Sequence, residues 1–274
     1  MRKKRFSQSD SFDEEVETGR ERSRGKGRVS RTRERKTAAA PVSALQRLNN
    51  LEIAPMTNGQ IELFATLSAK QITMVFGCAG TGKSYIATYF AARALAEGRV
   101  SKIILTRVMA TVGRPIGFLP GTEVDKITPY LAPMLEYLSE FFGKEEVQKM
   151  IKADIIQLVP VALLRGYTFK NAYIIVDEAQ NTSVHEFKTI LTRIGEDSTM
   201  AVLGDTDQSD VGDYDFMSGM EDFEVRLSNR MRKFKHADTP MEELSPFIGI
   251  VELGIEDVVR SEVVKDILDV YTNY

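Results

Sequence analysis

One short segment combines residue types that can bind phosphate, and their spacing is specific. The segment reads Gly77-Cys78-Ala79-Gly80-Thr81-Gly82-Lys83-Ser84 and satisfies the pattern G-x-x-x-x-G-K-[ST] in full. Its glycines let backbone N–H groups approach phosphate oxygens, Lys83 reaches the β- and γ-phosphates, and the Ser84 hydroxyl can join the coordination sphere of Mg²⁺. The pattern predicts a phosphate-binding loop, called the P-loop below. The alternative is a glycine-rich turn with an unrelated lysine.

The elements on either side of the P-loop suit this chemistry. Residues 72–76 form a short apolar run typical of a buried strand, and residues 83–97 repeat apolar side chains with a helical period. A helix that begins directly after a strand turns its first N–H groups toward the connecting loop, where they bind anions. Gly98 then ends this helix as its C′ residue.

An acidic pair follows a second predicted buried strand. Residues 172–176 are apolar and precede Asp177 and Glu178. The carboxyl ends of parallel strands meet at one edge of a sheet, so we expect this pair near the P-loop. Asp177 would hold Mg²⁺ through its water shell, and Glu178 would orient or polarise an attacking water. Without the P-loop, a solvated loop or a helix N-cap would explain the pair equally well.

Strands and helices alternate along the rest of the chain. We predict further strands at 103–106, 155–159, 200–203 and 248–253, and helices at 129–142, 145–153, 184–194 and 256–271. Ser183 and Glu186 form the pattern of a capping box at the start of one helix. The alternation predicts an α/β fold, a parallel sheet sandwiched by helices, with ligands at the carboxyl ends of the strands.

Composition indicates one folded domain preceded by a basic segment. Of 274 residues, 43% are hydrophobic and 27% charged, and no apolar stretch reaches the roughly 20 residues that cross a bilayer. Residues 1–40 carry 13 Lys and Arg against 7 Asp and Glu, without the apolar part of a secretory signal. We predict a cytoplasmic protein with a disordered tail at 1–40, which either binds polyanions or serves only solubility. A single cysteine and two histidines argue against a disulfide or a Cys/His zinc site.

Several further motifs together resemble one protein family. They are VDEAQNTS at 176–183, LTRIG at 191–195, GDTDQSD at 204–210, GFLPG at 117–121, PYLAPM at 129–134, RGYTF at 165–169 and EDVVRSEVV at 256–264. In order and spacing the chain resembles the PhoH-like ATPases over roughly residues 50–271. The resemblance implies a P-loop NTPase domain at 41–274, with a core similar to the motor domain of superfamily 1 helicases. Short members of this kind are common among phages.

The resemblance also implies roles for individual residues. Gln208 would sense the γ-phosphate, and Gln60 would read the adenine edge. Arg260, expected within the last helix, would neutralise charge on the transferred phosphoryl group in its own or a neighbouring subunit. The implied nucleotide-binding set is Gln60, Gly77, Cys78, Ala79, Gly80, Thr81, Gly82, Lys83, Ser84 and Tyr85.

A further implied role concerns nucleic acid. Thr106 and Arg107 match the position at which related motors contact single-stranded backbone, whereas the alternative is a surface salt bridge. Val108 departs from the proline of many relatives. The combined prediction is ATP hydrolysis with Mg²⁺ coupled to RNA or single-stranded DNA, in a homo-oligomer for which a hexameric ring is the family's frequent form. The alternatives are a nucleotide-gated protein-interaction module without turnover, and a nuclease-associated or phosphotransfer enzyme.

Overall fold

The fold is built on a parallel sheet. A computed structural model of the chain describes residues 42–51, 53–109, 123–205, 217–234 and 245–272. The strands in this part are β1 (Ile72–Gly77), β2 (Lys102–Arg107), β3 (Ile156–Leu158), β4 (Ala172–Asp177), β5 (Thr199–Gly204) and β6 (Ile248–Leu253). They pair in the order β3-β2-β4-β5-β1-β6, and each pair is parallel. The predicted fold class is confirmed.

Helices cover both faces of the sheet. They are α1 (Val42–Asn49), α2 (Asn58–Ala69), α3 (Lys83–Ala96), α4 (Glu123–Ile127), α5 (Ala132–Phe142), α6 (Lys144–Lys152), α7 (Val184–Leu191), α8 (Gly219–Phe234) and α9 (Glu262–Thr272). Short 3₁₀ turns lie at Thr128–Leu131, Val161–Leu164, Ala179–Asn181 and Ile255–Asp257. Within the described residues, none of the helices has the length and apolar character needed to cross a membrane.

The alternation of side chains along the strands divides the apolar residues between two cores. On β4, Tyr173 and Ile175 pack on the side of α1, α3, α5 and α6, whereas Ile174 and Val176 pack on the side of α7 and α8. All four side chains are buried. A strand buried on both faces reads as a continuous apolar run, which explains why the sequence locates β4 so directly.

Most predicted elements are confirmed with ends shifted by up to three residues, but the helix predicted at 256–271 is wrong in its first part. There, the chain forms a 3₁₀ turn at Ile255–Asp257, and α9 begins only at Glu262. Asp257 is 3% exposed and its carboxylate accepts the N–H of Gly254, which closes the turn. Arg260 therefore lies in the segment before α9. The tail predicted at 1–40 lies outside the described residues.

The capping box predicted at the start of α7 gives a stability test. The Ser183 hydroxyl accepts the Glu186 N–H at 3.3 Å, and the Glu186 carboxylate accepts the Ser183 N–H at 3.1 Å. Ser183→Ala should lower the free energy of unfolding by about 1 kcal/mol, because one helix-terminal N–H loses its acceptor. Urea denaturation measures this. Ser183→Asn keeps a capping oxygen and serves as control, and equal midpoints for the alanine variant and the unchanged chain would contradict the prediction.

Candidate nucleotide-binding site

The P-loop joins the carboxyl end of β1 to the first turn of α3. Gly80 and Gly82 have φ of 94° and 84°, a backbone region that glycine adopts without steric cost. Gly82 is also the N-cap of α3, so the unbonded N–H groups of the first helical turn face the loop. Together with the helix dipole, these groups favour an anion at this position.

The glycines of the P-loop are in close contact with side chains from three other segments. A Cβ at Gly80 would lie 2.9 Å from Cδ of Arg260, and one at Gly82 would lie 3.2 Å from Nε2 of Gln60. A Cβ at Gly77 would lie 2.8 Å from Cβ of Leu253 at the end of β6. A larger residue at these positions would displace one of its neighbours. The glycines thus allow both the loop conformation and its packing.

Lys83 lies back over the P-loop. Its ammonium donates hydrogen bonds to the carbonyl oxygens of Gly77 at 2.7 Å and Cys78 at 3.0 Å. The buried Thr81 hydroxyl also donates to the Cys78 carbonyl, at 3.0 Å. The loop is therefore bonded to itself through side chains, and the positive charge of Lys83 is held where phosphate is expected.

Asp177 lies opposite the P-loop, at the end of β4. Its Oδ1 is 3.5 Å from the Ser84 hydroxyl, which donates toward it. Burial raises the pKa of Asp177, and the Arg107 guanidinium beside it acts in the opposite direction. A serine hydroxyl and a carboxylate are hard oxygen ligands, and Mg²⁺ uses one or two carboxylates together with phosphate oxygens and waters. Ser84 and Asp177 fit this ion, and the described residues contain no cluster of three or more His, Cys, Asp or Glu that would favour another metal.

Glu178 is held from two sides in a sparsely populated backbone conformation. Its φ of 56° and ψ of 38° place it in the left-handed region, which is uncommon for glutamate. Oε1 accepts a hydrogen bond from Arg107 and Oε2 accepts one from Gln180, each at 2.6 Å. Gln180 is 1% exposed, and its own amide oxygen accepts the Asp205 N–H at 3.1 Å. The glutamate carboxylate is therefore oriented through Gln180 by the end of β5.

Gln180 is not among the site residues predicted from the sequence. Its signal was its place two residues after Glu178, where an amide can both donate to a carboxylate and accept from backbone.

The structure separates Thr106 from Arg107. Successive residues of a strand point to opposite faces, and the Thr106 side chain is fully buried, with no hydrogen-bond partner for its hydroxyl among the described residues. A hydroxyl at this depth cannot meet a backbone phosphate, which corrects the predicted nucleic-acid contact of Thr106. Arg107 instead faces the acidic pair, with one guanidinium nitrogen 3.3 Å from Asp177 Oδ2 and donating to the Tyr130 carbonyl at 3.1 Å.

Gln60 and Tyr85 both connect other segments to the site. Gln60 is 4% exposed, donates to the Thr81 carbonyl at 3.0 Å and accepts the Met56 N–H at 2.8 Å. Its amide thus bonds the P-loop to the start of α2, which leaves one N–H and one lone pair for a base. The Tyr85 hydroxyl donates to Glu140 on α5, and burial together with this carboxylate raises the pKa of Tyr85 to about 12.

Most of the predicted residues share one cavity of about 500 Å³. The predicted residues that line it are Gln60, Ala79, Gly80, Gly82, Lys83, Ser84, Tyr85, Arg107, Asp177, Glu178 and Arg260. Its size is within the range of small-molecule and cofactor sites. Gly77, Cys78 and Thr81 do not line the cavity, and their polar groups take part in the hydrogen bonds within the loop. Gln208 lies outside the described residues.

A sequence model of the family described as PhoH-like protein matches residues 52–272. The chain belongs to the PhoH-like protein family. A PhoH-like protein of Mycobacterium tuberculosis is 37% identical over 222 residues, which is 81% of this chain and 58% of the relative. For the PhoH-like protein of Bacillus subtilis the identity is 35% over 215 residues, 78% of this chain and 62% of the relative. Protein PhoH of Escherichia coli is 33% identical over 222 residues, 80% and 58% of the two chains.

The chain spans about three fifths of the length of these curated PhoH-like relatives. Among solved structures, the Sulfolobus solfataricus SWI2/SNF2 ATPase core in complex with dsDNA matches with a TM-score of 0.40 and 17% identity, covering 74% of this chain and 45% of that one. Family membership and the P-loop geometry agree on a phosphate-binding loop at this end of the sheet.

The burial of Asp177 predicts a gain of stability when its charge is removed. The residue is 7% exposed, and an ionised carboxylate at this depth is only partly compensated by Arg107. Asp177→Asn should raise the melting temperature of the ligand-free chain by about 2–4 °C, the change expected for about 1 kcal/mol in a chain of this size. Differential scanning calorimetry measures it.

The same experiment tests the metal site. Adding Mg²⁺ to ATP should stabilise the unchanged chain beyond ATP alone, and this increment should vanish in the Asp177→Asn variant. Asp266→Asn makes the same chemical change at an exposed position of α9 and is the matched control. A ligand-free Asp177→Asn chain that melts lower than the unchanged chain would contradict the prediction.

Proposed function

We propose that this chain hydrolyses ATP with Mg²⁺ and couples the reaction to RNA or single-stranded DNA. The observation that carries the hydrolytic part is the contact between the two halves of the cavity. The Ser84 hydroxyl, at the start of α3, reaches the Asp177 carboxylate at the end of β4, with Lys83 and Glu178 in the same cavity. This is the arrangement needed to bind a triphosphate and to activate water beside it.

Each residue has a defined task in the proposed reaction. Lys83 exchanges its backbone carbonyl partners for the β- and γ-phosphates, and Ser84 and Asp177 hold the metal. When bound, Mg²⁺ supplies positive charge that offsets charge developing on the phosphate oxygens. Glu178, fixed by Gln180, accepts a hydrogen bond from the attacking water and orients it.

Arg260 and Gln208 complete the proposed machinery. Arg260 lies over Gly80 at the rim of the cavity, where a guanidinium can neutralise charge on the transferred phosphoryl group. Gln208 follows β5 by four residues and would sense the γ-phosphate. Arginines of this kind contribute about 10³ to 10⁵ in rate where their role is established.

The polymer part of the proposal rests on charge and kinship. Residues 1–40 have six more basic than acidic residues, whereas residues 41–274 have nine more acidic than basic ones. A basic segment attached to an acidic domain provides the electrostatic attraction that nucleic acids require. Arg107, at the edge of the cavity, remains a candidate contact if a polymer draws it away from Glu178. We extend the proposal to a homo-oligomer, with a hexameric ring as the assembly to test.

Two substitutions separate hydrolysis from nucleotide binding alone. Lys83→Ala should reduce phosphate release at least 100-fold and weaken ATP binding, because the phosphates lose their main cation. Glu178→Gln should reduce release by about 10² to 10⁴ but leave ATP binding within threefold, because its amide cannot take up a proton. A phosphate-release assay and equilibrium dialysis with labelled ATP measure the two effects.

The control for these variants is Lys149→Ala, on the exposed side of α6, where the lysine side chain is 69% exposed. Its turnover should equal that of the unchanged chain. Full release by Lys83→Ala would remove this cavity from the reaction. Full function of Glu178→Gln would instead favour the nucleotide-gated module.

The basic segment predicts a salt dependence of RNA binding. Deleting residues 1–40 should weaken binding to single-stranded RNA and flatten the plot of log affinity against log salt concentration, by about 0.7 for each phosphate that the segment neutralises. Fluorescence anisotropy at several salt concentrations measures the slope, and single-stranded DNA of the same sequence is the second ligand. An identical slope with and without the segment would show that it neutralises no phosphates.

A further inference from the structure

Asp257 connects two segments that are far apart in the sequence. Its carboxylate accepts the N–H of Gly59 at 3.1 Å and the N–H of Gly254 at 3.0 Å, and the side chain is 3% exposed. Gly59 is in the first turn of α2, where a negative charge is favoured by the unbonded N–H groups and the helix dipole. The carboxylate thus attaches the segment after β6 to the start of α2.

The contact between Asp257 and α2 leaves no room for a side chain at position 59. A Cβ at Gly59 would lie 2.3 Å from Asp257 Oδ2, so a residue larger than glycine would displace the carboxylate. The hydrogen bond between the Gly59 N–H and the Asp257 carboxylate therefore requires glycine at position 59. This fixes the position of the 3₁₀ turn relative to the helix.

Both attached segments contact the P-loop of the same chain. On one side of Asp257, the Val259 N–H donates to the Gly80 carbonyl at 3.1 Å, and the Arg260 side chain lies against Gly80. On the other side, Gln60 follows Gly59 and donates to the Thr81 carbonyl at 3.0 Å. Asp257 thus holds together the two segments that bond to the neighbouring carbonyls of Gly80 and Thr81 in the P-loop.

We propose that Asp257 is a positioning residue that holds Arg260 over the P-loop, so that Arg260 acts on the nucleotide bound by its own chain. The inference rests on the proposed ATP hydrolysis. It adds Asp257 to the residues involved and assigns Arg260 to the nucleotide of its own chain. Arg260 lines the cavity that contains Lys83 and Glu178. The guanidinium required for phosphoryl transfer is therefore supplied in cis, and a neighbouring subunit is not needed to complete the site.

The kinetic test compares Asp257→Asn, Arg260→Ala and the double variant. Asparagine keeps the volume but turns an N–H₂ group toward one of the two backbone donors, which frees the turn. We expect kcat to fall at least tenfold in Asp257→Asn while the KM for ATP changes less than threefold. The double variant should match Arg260→Ala within twofold, because Asp257 acts through Arg260. Multiplied losses in the double variant would overturn the positioning role.

A binding measurement gives a second readout. Arg260 should favour a mimic of the transferred phosphoryl group over the product, so the affinity for ADP with aluminium fluoride is compared with that for ADP alone. The ratio of the two affinities should fall to the same value in Asp257→Asn and Arg260→Ala. A ratio in Asp257→Asn equal to that of the unchanged chain would overturn the proposal.

Two further variants control for general loss of structure. Ser198→Ala removes buried hydrogen bonds to Phe169 and Ala172 at the opposite edge of the sheet and should keep kcat and the affinity ratio. Gly59→Ala favours the helix but pushes against Asp257, so it should reproduce the kinetic effect in a chain that folds. Normal kcat in a folded Gly59→Ala chain would contradict the inference.

Mixing subunits tests whether Arg260 acts on the nucleotide of its own chain or on that of a neighbouring chain. Chains with Lys83→Ala and chains with Arg260→Ala are denatured, mixed in equal amounts and refolded together. Action in cis predicts no turnover beyond the sum of the two separate variants, whereas recovered turnover would show that Arg260 serves a neighbour. Refolded unchanged chain must release phosphate in a Lys83-dependent manner. If unchanged chain that was never denatured does not release phosphate in this manner, the proposed hydrolysis is wrong and this inference falls with it, whereas recovery in the mixture defeats the inference alone.

Discussion

Three side chains approach the backbone of the P-loop so closely that a residue larger than glycine beneath them would have to displace one of them. Leu253 comes from β6, Arg260 from the segment before α9, and Gln60 from α2. None of these segments is adjacent to the P-loop in sequence, yet each touches a different glycine. The P-loop is therefore the place where three separate segments of the chain pack together, and this packing sets the positions of Arg260 and Gln60.

The site contains charges of both signs that satisfy one another in the absence of ligand. The Arg107 guanidinium lies between the carboxylates of Asp177 and Glu178, while the Lys83 ammonium is bonded to loop carbonyls. Folding already removes these charged groups partly from water, and the attraction between opposite charges offsets part of that desolvation free energy. A triphosphate and its cation would exchange partners with groups that are already fixed, which lowers the ordering cost of binding.

The parts of the structure that follow from local patterns could be predicted from the sequence. The P-loop, the buried strands and the capping box of α7 each depend on residues a few positions apart. Helices α1, α2, α4 and α8 are absent from the predicted elements. The sequences of α1 and α8 are amphipathic and could have been predicted, whereas α2 has only a weak amphipathic pattern and α4 is only five residues long. Asp257 meets Gly59 across 198 positions, so no local pattern reveals that it ends a turn rather than continuing a helix. Arg107 faces the acidic pair only because β2 lies beside β4, and strand order is not encoded in any single segment.

The position of β5 in the sheet has a consequence for the site as a whole. β5 lies between β1 and β4, so the strands that carry the P-loop and Asp177 are two strand spacings apart, about 9.5 Å. The P-loop has to pass over the end of β5 to bring Ser84 to the carboxylate. That span is fixed by main-chain hydrogen bonds and not by any side chain at the rim. A change in the length or sequence of the other loops along this edge would therefore leave the separation of Ser84 and Asp177 unaltered.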